Sequence, residues 1–178
     1  MGEITVATRG APVKDSPVSS RDKIVSLGQL ADWRARFRHS GRQLVVTNGC
    51  FDVLHVGHVT YLEAARDQGD ALLVGVNGDA AVRALKGTGR PLNPENDRAL
   101  VLAALHCVEA VCIFPEVRAT QFLALARPDV YVKGGDYKLE TLNAEERSAV
   151  EKTGGRIVLI PFVPGKSTTA LIERIVSL

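Results

Sequence analysis

The sequence predicts an α/β fold in which a doubly wound parallel sheet of five strands is covered by helices on both faces. Two features of the pattern lead to this class. Short apolar runs with the character of buried strands alternate along the chain with stretches of helical periodicity. The length of 178 residues, 46% of them hydrophobic, is also typical of a single domain with one core.

The N-terminal segment, residues 1–22, predicts a flexible tail, and the folded domain is expected to span residues 23–178. The tail contains Gly, Pro, Ser and charges of both signs without a sustained period, a composition that buries too little apolar surface to offset the entropy cost of ordering. The domain is predicted to begin with an amphipathic helix that has Ser26 as N-cap and Gly41 as stop. Its apolar positions recur at helical spacing: Leu27, Leu30, Trp33 and Phe37.

Five strands and six further helices are predicted after this helix. The strands are expected at residues 43–47, 71–76, 110–114, 130–133 and 156–161. The helices are expected at residues 59–68, 79–85, 94–106, 119–127, 143–152 and 167–176. Asn93 before Pro94 is a good helix start, because Asn caps free amides and Pro at the first helical position loses no hydrogen bond. Regular alternation of strands and helices predicts parallel strands joined by helical crossovers.

The balance of charge argues against a nucleic-acid partner. Twenty-two Lys and Arg face 20 Asp and Glu, and a formal net charge of +2 is too small for the basic surface that duplex binding needs. No apolar run approaches the roughly 18 residues of a membrane span, so no membrane partner is expected. Cys50, Cys107 and Cys112 form no CxxC pair, and no His/Cys cluster has zinc spacing. A reduced, cytoplasmic protein is predicted, and no metal-ligating residue is assigned.

The most informative segment is residues 47–58, TNGCFDVLHVGH, which follows the first predicted strand and opens a helix. In an open α/β sheet, ligands bind outside the carboxyl ends of the strands. A helix N-terminus at that place offers free amides and a positive dipole to phosphate. Gly49 lets the backbone approach a ligand closely, and Gly57 is expected to leave room for a triphosphate.

The two histidines of this segment are predicted to be catalytic. His55 and His58 are three residues apart at the helix entrance, so they can share one face and donate hydrogen bonds to oxygens that gain charge during phosphoryl transfer. The structural alternative is that one histidine packs in the core and the other caps the turn. Two roles stay open for Asp52, which either tethers the turn or touches a metal-bound water.

These residues resemble a known family. HVGH at residues 55–58 resembles the H-x-G-H motif of the cytidylyltransferase-like nucleotidyltransferases, and TNGCFD at residues 47–52 is similar to the heptose 1-phosphate adenylyltransferase branch. The likeness extends over residues 44–175. Further matching segments are NGD (77–79), LKG (85–87), RPLNP (90–94), VKGGDY (132–137) and GKSTT (165–169). The resemblance implies a Rossmann-like fold of nucleotidyltransferase type, with ATP bound together with Mg²⁺.

Beside the histidines, Lys133 is predicted to be catalytic, because it ends a buried strand before two glycines and can follow charge as it shifts toward pyrophosphate. The donor-binding residues that the motifs imply are Thr47, Asn48, Gly49, Cys50, Phe51, Gly57, Asn77, Lys86, Arg90, Gly135, Asp136, Ser167 and Thr168. Three of them have structural alternatives: a C-terminal helix cation for Lys86, a turn former for Asn77 and an ordinary N-cap for Ser167. Gly165-Lys166 does not belong to a P-loop, since Ile160 stands where Walker A needs glycine.

Together these features predict an adenylyltransferase that moves AMP from ATP to D-glycero-β-D-manno-heptose 1-phosphate and releases pyrophosphate. The resemblance links the product, ADP-heptose, to lipopolysaccharide and other surface-glycan precursors, implies a homodimer, and leads us to expect a separate sugar kinase that supplies the substrate. Two alternatives stay open. One is a cytidylyltransferase acting on glycerol 3-phosphate or a similar alcohol phosphate, which Phe162 disfavours because the enzymes for glycerol phosphate place arginine there. The other is a regulatory nucleotide-binding module without catalysis.

The segment that follows the third predicted strand bears on the choice of acceptor. Fused relatives tend to carry an acidic residue and Thr-Pro where Val117, Arg118 and Ala119 stand. A loop at this position lies at the ligand-binding edge of such a sheet. Arg118 is therefore either an added phosphate contact or a solvated charge.

Overall fold

The computed structural model describes residues 18–135, 141–161 and 165–178. Five strands form its centre: β1 Leu44–Gly49, β2 Ala71–Asn77, β3 Ala110–Phe114, β4 Val130–Gly134 and β5 Arg156–Ile160. Seven α-helices occur in the described residues: α1 Leu30–Arg38, α2 Val56–Arg66, α3 Asp79–Lys86, α4 Glu95–Ala103, α5 Thr120–Ala126, α6 Ala144–Glu151 and α7 Thr168–Val176.

All described strand pairs are parallel, and the strand order is β3-β2-β1-β4-β5. The chain therefore builds the sheet in one direction from β1 to β3 and then returns to the other side of β1 with β4. The predicted doubly wound, Rossmann-like sheet is confirmed. The point where the order reverses, between β1 and β4, is where such sheets place their ligands.

The alternation of side chains along β1 explains why both faces of the sheet are covered. Leu44 and Val46 belong to one apolar cluster, which includes residues of α1, α5 and α6. Val45 belongs to the opposite cluster, which includes residues of α2 and α4. Successive side chains of a strand point to opposite faces, so an uninterrupted apolar run requires packing on both.

Close packing on the first of these faces depends on a glycine in β2. A Cβ on Gly75 would lie 2.6 Å from the ring of Phe122, which is in α5. The Phe122 ring in turn stacks on Phe114 with the ring centroids 5.1 Å apart. A side chain at position 75 would push α5 away from the sheet.

Two aspartates tie the amino ends of the strands together. Asp70 accepts a hydrogen bond from the amide of Gln43 at 2.7 Å, and Asp129 accepts one from the amide of Leu44 at 2.7 Å. Asp129 also forms a 2.9 Å ion pair with Arg34 of α1, a side chain that is 2% exposed. Burial lowers the pKa of Arg34, and the Asp129 carboxylate partly offsets that effect. These hydrogen bonds and this ion pair thus lie at the amino ends of the strands, opposite the carboxyl ends at which ligands bind.

Two helices, α2 and α4, each depart from the sequence prediction by three residues at one end. α2 begins at Val56, three residues earlier than predicted, because His55 has extended backbone and is the N-cap. The predicted helix 94–106 is α4, which is shorter at Glu95–Ala103. Its N-cap is Pro94, since the Asn93 side chain bonds to the backbone of Asp52 instead of capping.

The start of the domain also differs from the prediction. A 3₁₀ turn, Leu27–Gln29, precedes α1, and Ser26 makes no capping hydrogen bond there. A second 3₁₀ turn, Ser20–Lys23, falls mostly within the predicted tail, and Lys23 Nζ donates to the carbonyl of Val108 at 2.8 Å. Residues 20–22 therefore fold with the domain, whereas the flexibility of residues 1–17 stays a prediction. In the described part of the chain no helix combines the length and the apolar character that a membrane span would need.

Candidate active site

A cleft of about 600 Å³ opens at the carboxyl ends of β1, β2 and β4. It brings together ten of the predicted site residues: Asn48, Gly49, Cys50, Phe51, His58, Asn77, Lys86, Arg90, Lys133 and Thr168. The five that are described but do not line the cleft are Thr47, His55, Gly57, Gly135 and Ser167. Residues as far apart in sequence as Asn48 and Thr168 thus meet at the reversal point of the sheet.

The two histidines lie at the start of α2. Their rings stack with centroids 4.0 Å apart and planes inclined by 30°. In each ring Nδ1 is buried and has no hydrogen-bond partner among the described residues, so Nε2 is the nitrogen left to meet a ligand. His55 and His58 therefore share one face as predicted, but of the two only His58 lines the cleft.

Both imidazoles are neutral at pH 7 in the free protein. Burial, with a smaller contribution from the charge of His55, lowers the pKa of His58 to about 4. Burial first, and then the charge of Lys166, lowers the pKa of His55. A neutral imidazole still donates one N–H, and a bound polyphosphate would favour the protonated form of both rings.

The glycine between the histidines has a different role from the one predicted. A Cβ on Gly57 would lie 3.0 Å from the His55 ring and 3.0 Å from Cβ of Lys166. The space at Gly57 is therefore taken by two side chains of the protein and is not left open for a triphosphate. Glycine here lets the His55 ring and the start of the last helical segment approach α2 closely.

Phe51 supports His58 from the other side. Its ring meets the His58 ring edge-on with centroids 5.5 Å apart. A Cβ on Gly49 would lie 3.1 Å from the Phe51 ring, so glycine at this position allows the ring to pack over the end of β1. Phe51 adopts a left-handed backbone conformation with φ of 46°, which is unfavourable for a bulky side chain. The turn accepts this strain in order to hold the aromatic ring beside His58.

Lys133 is the last residue but one of β4 and is held from two directions. Its Nζ donates to Asn48 Oδ1 at 3.0 Å, and the Tyr131 hydroxyl donates to the same oxygen at 2.7 Å. Glu146 Oε2 lies 3.8 Å from the ammonium. Burial lowers the pKa of Lys133, while the Glu146 carboxylate raises it and so offsets part of the effect. The result is a fixed, largely desolvated cation at the bottom of the cleft.

Asp52 tethers the turn after β1 to a second loop, which is the first of its two predicted roles. Its Oδ1 accepts hydrogen bonds from the amides of Leu92 and Asn93 at 2.7 and 3.0 Å. Its Oδ2 forms a 2.6 Å ion pair with Arg90 Nε. The carboxylate is therefore fully engaged, and part of the charge of Arg90, a predicted anion contact, is neutralised within the protein.

Arg98 fastens the ends of β1 and β2 from α4. This guanidinium, 1% exposed, donates to the carbonyl of Cys50, to the carbonyl of Asn77 at 2.9 Å and to Asp79 at 2.7 Å. Asn77 in turn donates through Nδ2 to the carbonyl of Glu116 at 3.1 Å. Arg98 and the Asn77 side chain thus hold loops of the cleft, and Asn77 keeps a place in its lining.

The side chain of Thr47 makes its contacts inside the domain. It is fully buried, and its hydroxyl lies 2.6 Å from the hydroxyl of Tyr61, which donates to the carbonyl of Val132 at 3.2 Å. The side chain joins β1 to α2 and β4 and does not reach the cleft. Cys50, three residues further along the chain, lines the cleft. Burial raises the pKa of its thiol and keeps the thiol protonated.

The C-terminal motif contributes one residue to the cleft. Ser167 is the N-cap of α7, and its hydroxyl accepts a hydrogen bond from the amide of Ala170 at 3.1 Å, which is the ordinary capping role. Thr168 lines the cleft and donates to the carbonyl of Val53 at 3.2 Å. Gly135 has φ of 135°, a conformation that glycine accepts readily.

Two positively charged side chains of the cleft are available to bind an anionic ligand. Lys86, in the last turn of α3, and Arg118, in the loop after β3, are exposed and line the cleft. Neither has an ion-pair partner in the described part of the chain. Arg118 is close enough to Lys133 to lower its pKa. Asp136 and Phe162, which also entered the sequence prediction, lie outside the described residues.

The carboxylates around the cleft do not form a cage for a divalent cation. Across the described residues no group of three or more His, Cys, Asp and Glu side chains has the arrangement of a metal site. Asp52 is engaged by Arg90 and two amides, and Glu146 by an amide and Lys133. Mg²⁺ that enters with a nucleotide typically keeps its waters and its phosphate ligands, so such an ion would need few protein ligands.

The chain is similar in sequence to a known protein family and to curated relatives. Residues 46–174 match the family described as Cytidylyltransferase-like. The Bifunctional protein HldE of Citrifermentans bemidjiense is 48% identical over 179 aligned residues, which cover 99% of this chain and 36% of that protein. The Bifunctional protein HldE of Geotalea uraniireducens is 52% identical over 153 residues, 86% of this chain and 31% of that protein. The chain thus spans about a third of the length of these curated relatives.

Solved structures show the same architecture. A lipopolysaccharide core biosynthesis protein from Thermoplasma volcanium superimposes with a TM-score of 0.57 at 29% identity, covering 69% of this chain and 98% of that one. A pantoate-beta-alanine ligase from Francisella tularensis, solved with an ATP compound and beta-alanine, has a TM-score of 0.52 at 12% identity over 78% of this chain and 66% of that one. The second likeness concerns the fold alone.

Proposed function

The chain belongs to the cytidylyltransferase-like family, and on this premise we propose that it is an adenylyltransferase for a heptose 1-phosphate. In the proposed reaction, AMP is transferred from ATP to D-glycero-β-D-manno-heptose 1-phosphate, and ADP-heptose and pyrophosphate are the products. Relatives named Bifunctional protein HldE, 48% to 52% identical over most of the chain, support this branch of the family.

The observation that carries the proposal is the meeting of His58 and Lys133 in one cleft at the reversal point of the sheet. Phosphoryl and nucleotidyl transfer need little covalent chemistry from a protein and depend on positioning and on charge stabilisation. A desolvated ammonium and an imidazole N–H beside the start of a helix are suited to both tasks.

The proposed step is an in-line displacement at the α-phosphorus of ATP. An oxygen of the sugar phosphate forms the new P–O bond, and the bond from the α-phosphorus to the bridging oxygen breaks, so that the electron pair leaves with pyrophosphate. Lys133 is proposed to stabilise charge on the phosphates, and His58, supported by His55, to donate a hydrogen bond to the oxygens that gain charge. No proton needs to be removed from the acceptor, because its phosphate is already an anion.

Several features of the proposal rest on family resemblance. Mg²⁺ is proposed to enter with ATP and to neutralise its phosphate tail. A homodimer, a cytoplasmic location and a role in supplying lipopolysaccharide precursors are proposed on the same ground. A separate sugar kinase is proposed to supply the phosphorylated acceptor, again on the family resemblance.

The test is a substrate matrix in which ATP and CTP are each combined with heptose 1-phosphate, as separate α and β anomers, and with glycerol 3-phosphate. Pyrophosphate release is measured in every combination. The highest kcat/KM is expected for ATP with the β anomer. Preference for CTP with glycerol 3-phosphate would replace the proposal by the cytidylyltransferase alternative, and nucleotide binding without any pyrophosphate release would replace it by a regulatory module.

A further inference from the structure

Glu146 is a buried carboxylate that the proposed chemistry leaves unused. It lies in the first turn of α6 and is 6% exposed. The amide of the same residue is capped by the side chain of Asn143 at 3.1 Å, which fixes the start of the helix. Isolated buried carboxylates are costly, so this one is expected to have a purpose for which its charge matters.

One oxygen of Glu146 holds the loop after β3. Oε1 accepts a hydrogen bond from the amide of Ala119, the N-cap residue of α5, at 2.8 Å. The same loop is held at its other end by Asn77, which donates to the carbonyl of Glu116. Val117 and Arg118 lie between these two anchors and line the cleft. The position of the Arg118 backbone is therefore set by Asn77 and Glu146 together.

The other oxygen of Glu146 faces Lys133. Oε2 lies 3.8 Å from Nζ of Lys133 and 3.4 Å from the hydroxyl of Tyr131. Lys133 and Tyr131 also share Asn48 Oδ1 as an acceptor. The ammonium of Lys133 is thus oriented by one amide oxygen and one carboxylate, both fixed on elements of the sheet and its covering helix.

We propose that Glu146 is a positioning residue that sets Lys133 and Arg118 relative to each other, Lys133 through its ion pair and Arg118 through the backbone of its loop. Lys133 then meets the donor phosphates, while Arg118 meets the phosphate of the acceptor. The inference rests on the proposed nucleotidyl transfer, since it assigns the two cations to the two substrates. It also explains why a carboxylate on α6 is buried against the amide of Ala119, which lies 27 residues earlier in the chain.

The charged and titratable groups that face Lys133 come from three elements. Glu146 on α6 raises the pKa of Lys133, Arg118 after β3 lowers it, and Cys50 after β1 raises it slightly. Removal of the Glu146 charge takes away the largest contribution that raises the pKa of Lys133, so this pKa is expected to fall further. Since a protonated Lys133 is needed, the loss of activity on the basic side should begin at lower pH.

The experiment compares Glu146→Gln with Glu146→Ala. The amide oxygen of Gln can still accept from Ala119, so the Gln variant loses the ion pair and keeps the loop anchor. We expect its kcat/KM for ATP to fall by about tenfold, with the basic limb of the pH profile displaced to lower pH and the KM for the sugar phosphate nearly unchanged. The Ala variant loses both contacts, and its KM for the sugar phosphate should also rise by about tenfold.

Glu145→Gln is the matched control, because Glu145 is exposed and lies in the same first turn of α6. It removes the same charge from the same helix start and should behave like the parent protein. An unchanged pH profile in Glu146→Gln, or identical acceptor KM values in the Gln and Ala variants, would overturn the inference. Circular dichroism shows whether each variant is folded, and the Gln variant provides the decisive result if the Ala variant is not.

A measurement without substrate separates this inference from the proposed function. The rate at which acetic anhydride labels Lys133 is followed by mass spectrometry as a function of pH, which reports the pKa of that amine. The pKa should be lower in Glu146→Gln than in the parent and in Glu145→Gln. Equal values in all three proteins would contradict the positioning role, whichever sugar or nucleotide the enzyme uses.

Discussion

At the level of single side chains, the polar residues of the cleft fall into two groups. Asp52 and Arg98 form hydrogen bonds that hold the loops at the strand ends, and so they shape the cleft. His58, Lys86 and Arg118 line it without such commitments in the described part of the chain. Chemistry is therefore expected from the second group and from Lys133, whose ammonium is held but still faces the cleft.

Replacement of either histidine should reduce turnover. His58→Ala and His55→Ala are expected to lower kcat by about 10²-fold, because a hydrogen bond to the charge that develops in the transition state is lost or misplaced. Steady-state pyrophosphate release measures the effect, and the melting temperature serves as the folding control. Near-normal turnover in both variants would remove the histidines from the mechanism.

The depressed pKa of His58 also predicts a dependence of stability on pH. In the folded state this pKa is about 4, against 6.5 for an unperturbed histidine, so between these values the unfolded chain binds more protons than the folded one. The stability associated with a neutral His58 is fully present above pH 6.5 and is lost as the pH falls toward 4.

Melting temperatures of the parent protein and of His58→Gln at pH 7.5 and pH 5 test this expectation. The parent should lose more stability on acidification than the variant, because Gln cannot take up a proton. Equal losses in the two proteins would mean that His58 titrates normally in the folded state.

At the level of secondary structure, the strands and most helix starts were predicted to within two residues, whereas the starts of α1 and α2 were each three residues off. The ends of an apolar run mark a buried strand, and all five strands lie within two residues of their predicted bounds. The start of α2 was placed too late, because Gly57 weakens helical propensity while the packing of His55 and Lys166 against it favours the helix. Tertiary contact, which no local pattern contains, decides such boundaries.

The same reasoning separates the predicted from the unpredicted parts of the cleft. Motif residues at strand ends, such as Asn48 and Lys133, could be placed because every carboxyl end of a parallel sheet meets one edge. Glu146 was missed, since its partner Ala119 is 27 residues away and an acidic helix start looks ordinary in the sequence. The burial of Thr47 against Tyr61 likewise depends on a side-chain contact across two elements.

Gly57 offers a test at the level of the helix. Gly57→Ala should improve helical propensity but place a methyl group 3.0 Å from the His55 ring and from Lys166, so that one of them must move. We expect kcat to fall by about tenfold or more, while the melting temperature changes little. Gly28→Ala, a glycine whose Cβ would meet nothing within 4 Å, is the control.

At the level of the whole molecule, Arg34 connects the first helix to the centre of the sheet. Its guanidinium donates to the carbonyl of Arg127 at 3.1 Å and pairs with Asp129, which also holds the amide of Leu44. Three elements that are distant in sequence, α1, β1 and the turn before β4, thus meet at one buried side chain.

Arg34→Met should therefore destabilise the fold without changing its chemistry. Methionine keeps much of the apolar packing but leaves the Arg127 carbonyl and Asp129 without this partner, which is expected to cost about 2 kcal/mol. Thermal unfolding should show a decrease of roughly 4–8 °C, with kcat within about twofold of the parent. Arg36→Met, an exposed arginine on the same helix, should leave the melting temperature unaltered.

The aspartates at the amino ends of the strands stabilise the fold at a distance from the proposed catalytic residues. Asp70 and Asp129 hold the amino ends of the strands, opposite the cleft, so substitutions around them are expected to change the melting temperature of the domain and to preserve the geometry of His58 and Lys133. Enzymes commonly lose activity when they are engineered for thermal stability, because the stabilising substitutions relieve strain in residues of the active site. In this molecule the two properties lie at opposite ends of the same strands, and protein engineers can select for one without sacrificing the other.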